Sequence, residues 1–98
     1  MKVCVLVAVS DKTIVSTLQR VEDGCKGDME IFLYGDGVLL LNEPSFLRMA
    51  GRVKTTLCNV SGEERGVTRR GAAVSGSLYV LSTMIAGSDK LVAFTRGA

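Results

Sequence analysis

The chain contains no histidine, so the residues best suited to chemistry are its three cysteines and their polar neighbours. Cys58 follows the β-branched and apolar run 53–57, which predicts a strand. Ser61 and Glu64 then form a Ser-x-x-Glu capping box, which predicts the start of a helix. The positive end of such a helix, with Arg65 in its first turn, favours the nucleophilic thiolate, although the adjacent glutamates oppose it. The sequence therefore indicates sulfur chemistry at Cys58.

The other two cysteines have sequence neighbours typical of core residues. Cys4 lies within an apolar strand, and Cys25 lies on the apolar stripe of the first predicted helix. That helix runs back along the sheet, so its end lies at the opposite edge from Cys58. We therefore expect no disulfide partner for Cys58 within its own chain, and a buried structural role for Cys58 remains the alternative.

Polar and glycine residues follow the other predicted strands. The glycines around Asp36 permit a tight turn whose backbone can approach another group closely. Because a third glycine is lacking, this is not a dinucleotide fingerprint, and a plain turn is the alternative. If the second and third strands are neighbours, the turn shares one rim with Cys58 and Asn59. The predicted rim consists of Ser10, Asp11, Gly35, Asp36 and Gly37.

The elements that must position these residues alternate between strand and helix. Strands are predicted over 3–9, 29–34, 53–57 and 90–95, and 71–74 is either a short strand or an extended connection. Ile14, Leu18 and Val21 give the first helix its apolar stripe, and Pro44 divides the second crossover into two pieces. The βαβ order predicts a three-layer α/β/α fold with a mostly parallel sheet of four or five strands.

Length and composition limit the classes of protein to consider. Ninety-eight residues predict one domain over 1–98, and a net charge of +2 gives no reason to expect a nucleic-acid partner. No apolar run is long enough to cross a bilayer, and we expect a cytoplasmic protein. Without histidine no metal site is expected, nor is a cofactor. An apolar fraction of 47% in so small a chain predicts that other copies cover part of its surface.

The order of these motifs resembles the DsrE/DsrF-like small α/β proteins. A glycine-rich turn follows the second strand, the third strand ends at Leu57-Cys58, and Arg65-Gly66 follows shortly after. The resemblance implies a sulfur-relay protein in which Cys58 accepts sulfane sulfur as a persulfide and passes it to a partner. It also implies that Arg65 and Gly66 help to position the cysteine, and that copies form dimers, trimers or hexamers. Ser61 stands where some relatives carry a second cysteine.

Three functions follow from these observations. The leading hypothesis is a cytoplasmic sulfur carrier or sulfurtransferase that exchanges sulfur with donor and acceptor proteins and needs no cofactor. In it, Asn59, Ser61, Arg65 and Gly66 support Cys58 or stabilise its anion. The second is a non-catalytic module that binds an anion, nucleotide or small metabolite at the carboxyl ends of the strands. The third is an oligomeric structural or regulatory subunit.

Overall fold

The structure, a computed structural model, describes residues 1–68 and 70–96. Its five strands are Val3–Val7 (β1), Met29–Leu33 (β2), Lys54–Cys58 (β3), Val74–Gly76 (β4) and Lys90–Phe94 (β5). Its α-helices are Ile14–Gly24 (α1), Pro44–Ala50 (α2), Asn59–Glu64 (α3) and Leu78–Ala86 (α4), and a 3-10 segment, Gly35–Asn42, precedes α2. Nowhere in these two ranges is there a helix with the length and apolar character needed to cross a membrane.

All strand pairs in the sheet are parallel, and the strand order is β4-β3-β2-β1-β5. This confirms the predicted α/β fold class. The chain moves in one direction from β1 to β4 and then returns to the far edge for β5. Because such crossovers are right-handed, the return helix α4 lies on the opposite face from the helices before it.

The two sheet faces carry separate apolar clusters, because successive side chains of a strand point to opposite faces. The larger cluster contains Val3, Val5 and Val7 from β1, and it packs against α1, the 3-10 segment and α2. The smaller cluster lies on the α4 face. Its buried members are Cys4, Phe32, Cys58 and Met84. The candidate cysteine is therefore on the thinly covered side of the sheet.

Several element boundaries differ from the sequence prediction. β1 ends at Val7 rather than at residue 9, and the uncertain segment becomes a strand at Val74–Gly76 rather than at 71–74. The chain after β2 forms a 3-10 segment because Gly37 lies against β1. An added Cβ there would be 2.0 Å from the carbonyl oxygen of Val7. Pro44 begins α2, as predicted.

The apolar residues of the last helix, α4, are only partly buried. Met84 is buried and Leu81 is half-buried, whereas Leu78 and Ile85 are exposed. A nine-residue helix covers too little of a five-stranded face to bury every apolar residue that it carries. Apolar surface therefore remains uncovered on the same side as Cys58.

Candidate functional site

Cys58 lies where β3 passes into α3, as the sequence predicted. It is the last residue of the strand and the N-cap of the helix, with extended backbone angles (φ −64°, ψ 121°). Cys58 is only 3% exposed, and it packs in the smaller apolar cluster with Phe32 and Met84. The thiol is therefore largely shielded from solvent, because Met84 of α4 packs over the face on which the sulfur lies.

A hollow of about 620 Å³ nevertheless adjoins Cys58. Its walls come from the residue after β2, from α3 and from the first turn of α4. The lining residues are Tyr34, Cys58, Asn59, Val60, Ser61, Glu64, Ser77, Leu78 and Tyr79. Tyr34 is 43% exposed and Tyr79 is 76% exposed, so the hollow opens to solvent between aromatic side chains. The thiol is buried from bulk water but borders a space that a small molecule can occupy.

Ser61 does not cap the helix, because α3 begins two residues earlier, at Asn59. The capping-box prediction is therefore wrong. Ser61 is buried, and its Oγ accepts a hydrogen bond of 2.9 Å from the backbone N–H of Gly35. This bond joins α3 to the turn after β2, so Ser61 fixes the two segments that form one side of the hollow.

Arg65 is the C-cap residue of α3 rather than a first-turn residue as predicted, and it does not line the hollow. Its Nε donates to Asp36 Oδ1 at 2.9 Å, and its Nη1 donates to the carbonyl oxygen of Ser61 at 3.3 Å. Nη1 also lies 3.5 Å from Glu64 Oε1, and Arg96 approaches the second oxygen of Asp36 at 3.7 Å. Because the guanidinium contacts carboxylates and does not line the hollow, its contacts in this structure hold α3 against the 3-10 segment.

Gly66 ends α3 rather than contacting the hollow. Its φ of +67° is in the left-handed region, where glycine is favoured. The N–H of Val67 then donates to the carbonyl oxygen of Gly62 at 2.8 Å, the closing bond of a Schellman motif. Gly62 itself has no space for a side chain, since an added Cβ would lie 2.4 Å from the oxygen of Val67.

The five residues of the predicted rim do not line the hollow beside Cys58. β2 and β3 are neighbours, but Gly35, Asp36 and Gly37 stand behind the hollow and do not line it. Ser10 and Asp11 follow β1, one strand further away, and do not line it either. The Asp11 carboxylate instead accepts the N–H of Thr13, which lowers the pKa of Asp11 and organises the start of α1.

Sequence reasoning missed the apolar and aromatic part of the site. Tyr34, Leu78 and Tyr79 line the hollow, but Tyr34 was predicted only as the end of a strand, and neither Leu78 nor Tyr79 was predicted to belong to the site. The signal that could have found them is strand order. A short β4 beside β3 brings the start of α4 next to Cys58. Ser77, at the N-cap position of α4, lines the hollow, and its side chain makes no capping hydrogen bond.

The other cysteines occupy the positions expected of them. Cys4 is fully buried, and burial, with a smaller effect from the Glu30 carboxylate, raises the pKa of its thiol. Cys25 is half-buried at the end of α1, and all three cysteines are free thiols. Across residues 1–68 and 70–96 no three histidine, cysteine, aspartate or glutamate side chains are grouped to hold a metal ion.

Comparison with known proteins finds a likeness in structure but not in sequence. No protein-family model and no curated protein matches the chain. The crystal structure of the YchN protein from E. coli superimposes with a TM-score of 0.75 at 19% sequence identity. The superposition covers 96% of this chain and 100% of the YchN chain. At this identity the likeness establishes a shared fold.

Proposed function

We propose that the protein is a sulfur carrier in which Cys58 holds sulfane sulfur as a persulfide. The observation that carries the proposal is the position of Cys58, at the end of β3 and against a hollow of about 620 Å³. Transfer requires the sulfur of Cys58 to attack the terminal sulfur of a donor persulfide. A new S–S bond forms at Cys58, the donor S–S bond breaks, and the leaving thiolate takes the proton that Cys58 gives up. No net oxidant or reductant is needed.

The surroundings of Cys58 suit a protected persulfide. The sulfur itself is buried among Phe32 and Met84, whereas the adjoining hollow has room for one more sulfur atom. Asn59 and Ser77 line that space and supply neutral hydrogen-bond donors. Burial slows the oxidation of a persulfide by solutes, and the opening beside Tyr79 provides a path for exchange.

The family and cellular setting form part of the same proposal. The order of motifs and the fold shared with YchN over nearly the whole chain support a place in the DsrE/DsrF-like family. Three free cysteines suit a reducing compartment, which supports a cytoplasmic location. Exposed Ile85 on α4 and Leu91 on β5, which do not line the hollow, support association of several copies, and sedimentation analysis should show a species heavier than one 98-residue chain.

Loading and discharge test the carrier directly. Incubation with a cysteine desulfurase and cysteine, or with a low-molecular-weight persulfide, should add the mass of one sulfur atom to the intact protein. Addition of an acceptor thiol should remove it. Cys58→Ser should abolish loading, and the matched variant Cys25→Ser should load normally. Unchanged loading of Cys58→Ser would overturn the proposal.

A binding module without sulfur transfer is the second candidate, because Tyr34 and Tyr79 at one hollow are typical of a small-molecule site. In that case a metabolite should raise the melting temperature equally in the native protein and in Cys58→Ser. A ligand whose effect disappears with the thiol would favour the carrier.

A further inference from the structure

We infer that the sulfur donor for this site is a small amino-thiol persulfide that carries a free ammonium group, rather than an inorganic sulfur anion. The inference rests on the proposed function and names the substrate class of the same hollow. Three features of the hollow carry it: its size, its charge, and its aromatic walls.

Size favours a small donor. A hollow of about 620 Å³ falls within the range of about 300–1,000 Å³ that is usual for small-molecule sites. Cys58 is 3% exposed, so a donor reaches it through the hollow that this residue helps to line.

Charge favours a cationic group on that donor. Among the described residues that line the hollow, Glu64 alone has a side chain with a full charge at neutral pH. The contact from Arg65 Nη1 to Glu64 Oε1 is 3.5 Å, longer than the 2.9 Å contact from Arg65 Nε to Asp36. The Glu64 side chain is 67% exposed, so its carboxylate is accessible to an ammonium group. The same charge repels thiosulfate and polysulfide anions.

The aromatic walls add to the preference for a cation. Tyr34 and Tyr79 line the hollow from two different elements, the end of β2 and the start of α4. The face of a tyrosine ring attracts an ammonium group electrostatically. Asn59 and Ser77 can donate hydrogen bonds to the carboxylate that an amino acid also carries, without adding charge.

The experiment compares loading rates for three donors on the intact protein: cysteine persulfide, N-acetylcysteine persulfide and thiosulfate. Acetylation removes the ammonium charge, and because it also raises the pKa of the leaving thiol, each rate is divided by the rate of the same donor with a free thiol in solution. Loading of Cys58, followed by mass spectrometry, should be about threefold to fivefold faster with cysteine persulfide than with the acetylated donor. Thiosulfate should be slowest. Glu64→Gln should reduce this ratio towards one, whereas the neighbouring Glu63→Gln, which does not line the hollow, should leave it unchanged.

The failure of this inference can be distinguished from failure of the proposed function. Equal rates with both organic donors, an unchanged ratio in Glu64→Gln, faster loading from thiosulfate, or loading only from a protein donor would each overturn the inference while Cys58 still carries sulfur. No loading of Cys58 from any donor would overturn the proposed function, and the inference with it.

Discussion

Ser61→Ala tests whether the serine beside Cys58 ties α3 to the turn after β2. The substitution removes the acceptor of the 2.9 Å hydrogen bond from the Gly35 N–H, at a residue that is 4% exposed. An N–H group left without its partner in a part-buried position costs about 1–2 kcal/mol. With a urea dependence of roughly 1.5 kcal/mol per molar for a small domain, the unfolding midpoint should fall by about 1 M.

Ser16→Ala is the matched control. Ser16 is also the third residue of its helix, so the change in helix propensity is the same, but its hydroxyl is exposed and only donates to the carbonyl oxygen of Thr13. Urea unfolding followed by circular dichroism should show a shift below about 0.5 kcal/mol for this variant. Equal midpoints for Ser61→Ala and Ser16→Ala would refute the structural role assigned to Ser61.

Three further substitutions, one of them with a matched control, test packing and electrostatics elsewhere in the fold. Gly37→Ala places a Cβ 2.0 Å from a β1 carbonyl oxygen and should destabilise by about 3 kcal/mol, whereas Gly24→Ala, in open space, should be neutral or stabilising in thermal unfolding. Thr56→Val removes a buried hydroxyl without a hydrogen-bond partner in the described chain, so it should raise the urea midpoint; a lower midpoint would contradict this. Hydrogen bonds from Arg52 lower the pKa of Glu22 below its ordinary 4.5. The stabilisation that these bonds give the folded state is complete above pH 4.5 and is lost as pH falls through the lowered pKa of Glu22. Arg52→Gln should therefore reduce the free energy of unfolding near pH 7 and make it less sensitive to acid. Parallel pH profiles of the unfolding free energy in the two proteins would contradict this.

The architecture could be predicted because local signals and the fold agree. The apolar run at β1 and the helical spacing of Ile14 and Leu18 indicated the correct elements, and Pro44 marked the start of α2. Cys58 was correctly placed at a strand end, because a β-branched run stops there. Boundaries were less accurate, since β4 owes its position to pairing with β3 and not to its own sequence.

The surroundings of Cys58 could not be predicted from local sequence, because they depend on contacts between distant segments. Ser61 matched a capping box, but the helix begins at Asn59, and the Ser61 hydroxyl instead accepts a hydrogen bond from the backbone N–H of Gly35. The sequence position of Arg65 predicted a place near the thiol. In the structure its guanidinium instead donates a hydrogen bond to Asp36, which is far away in the chain. The hollow itself depends on α4 crossing over β3, which only the strand order determines.

The measurement that tests the central claim most directly is the location of added sulfur among the three cysteines of the native protein. After brief treatment with a persulfide donor, alkylation and peptide mass spectrometry should find the extra sulfur on Cys58. Cys4, fully buried with a raised thiol pKa, and Cys25, at the opposite edge of the sheet, should carry little or none. An unmodified Cys58, or sulfur spread equally over Cys58 and Cys25, would contradict a carrier site at the end of β3.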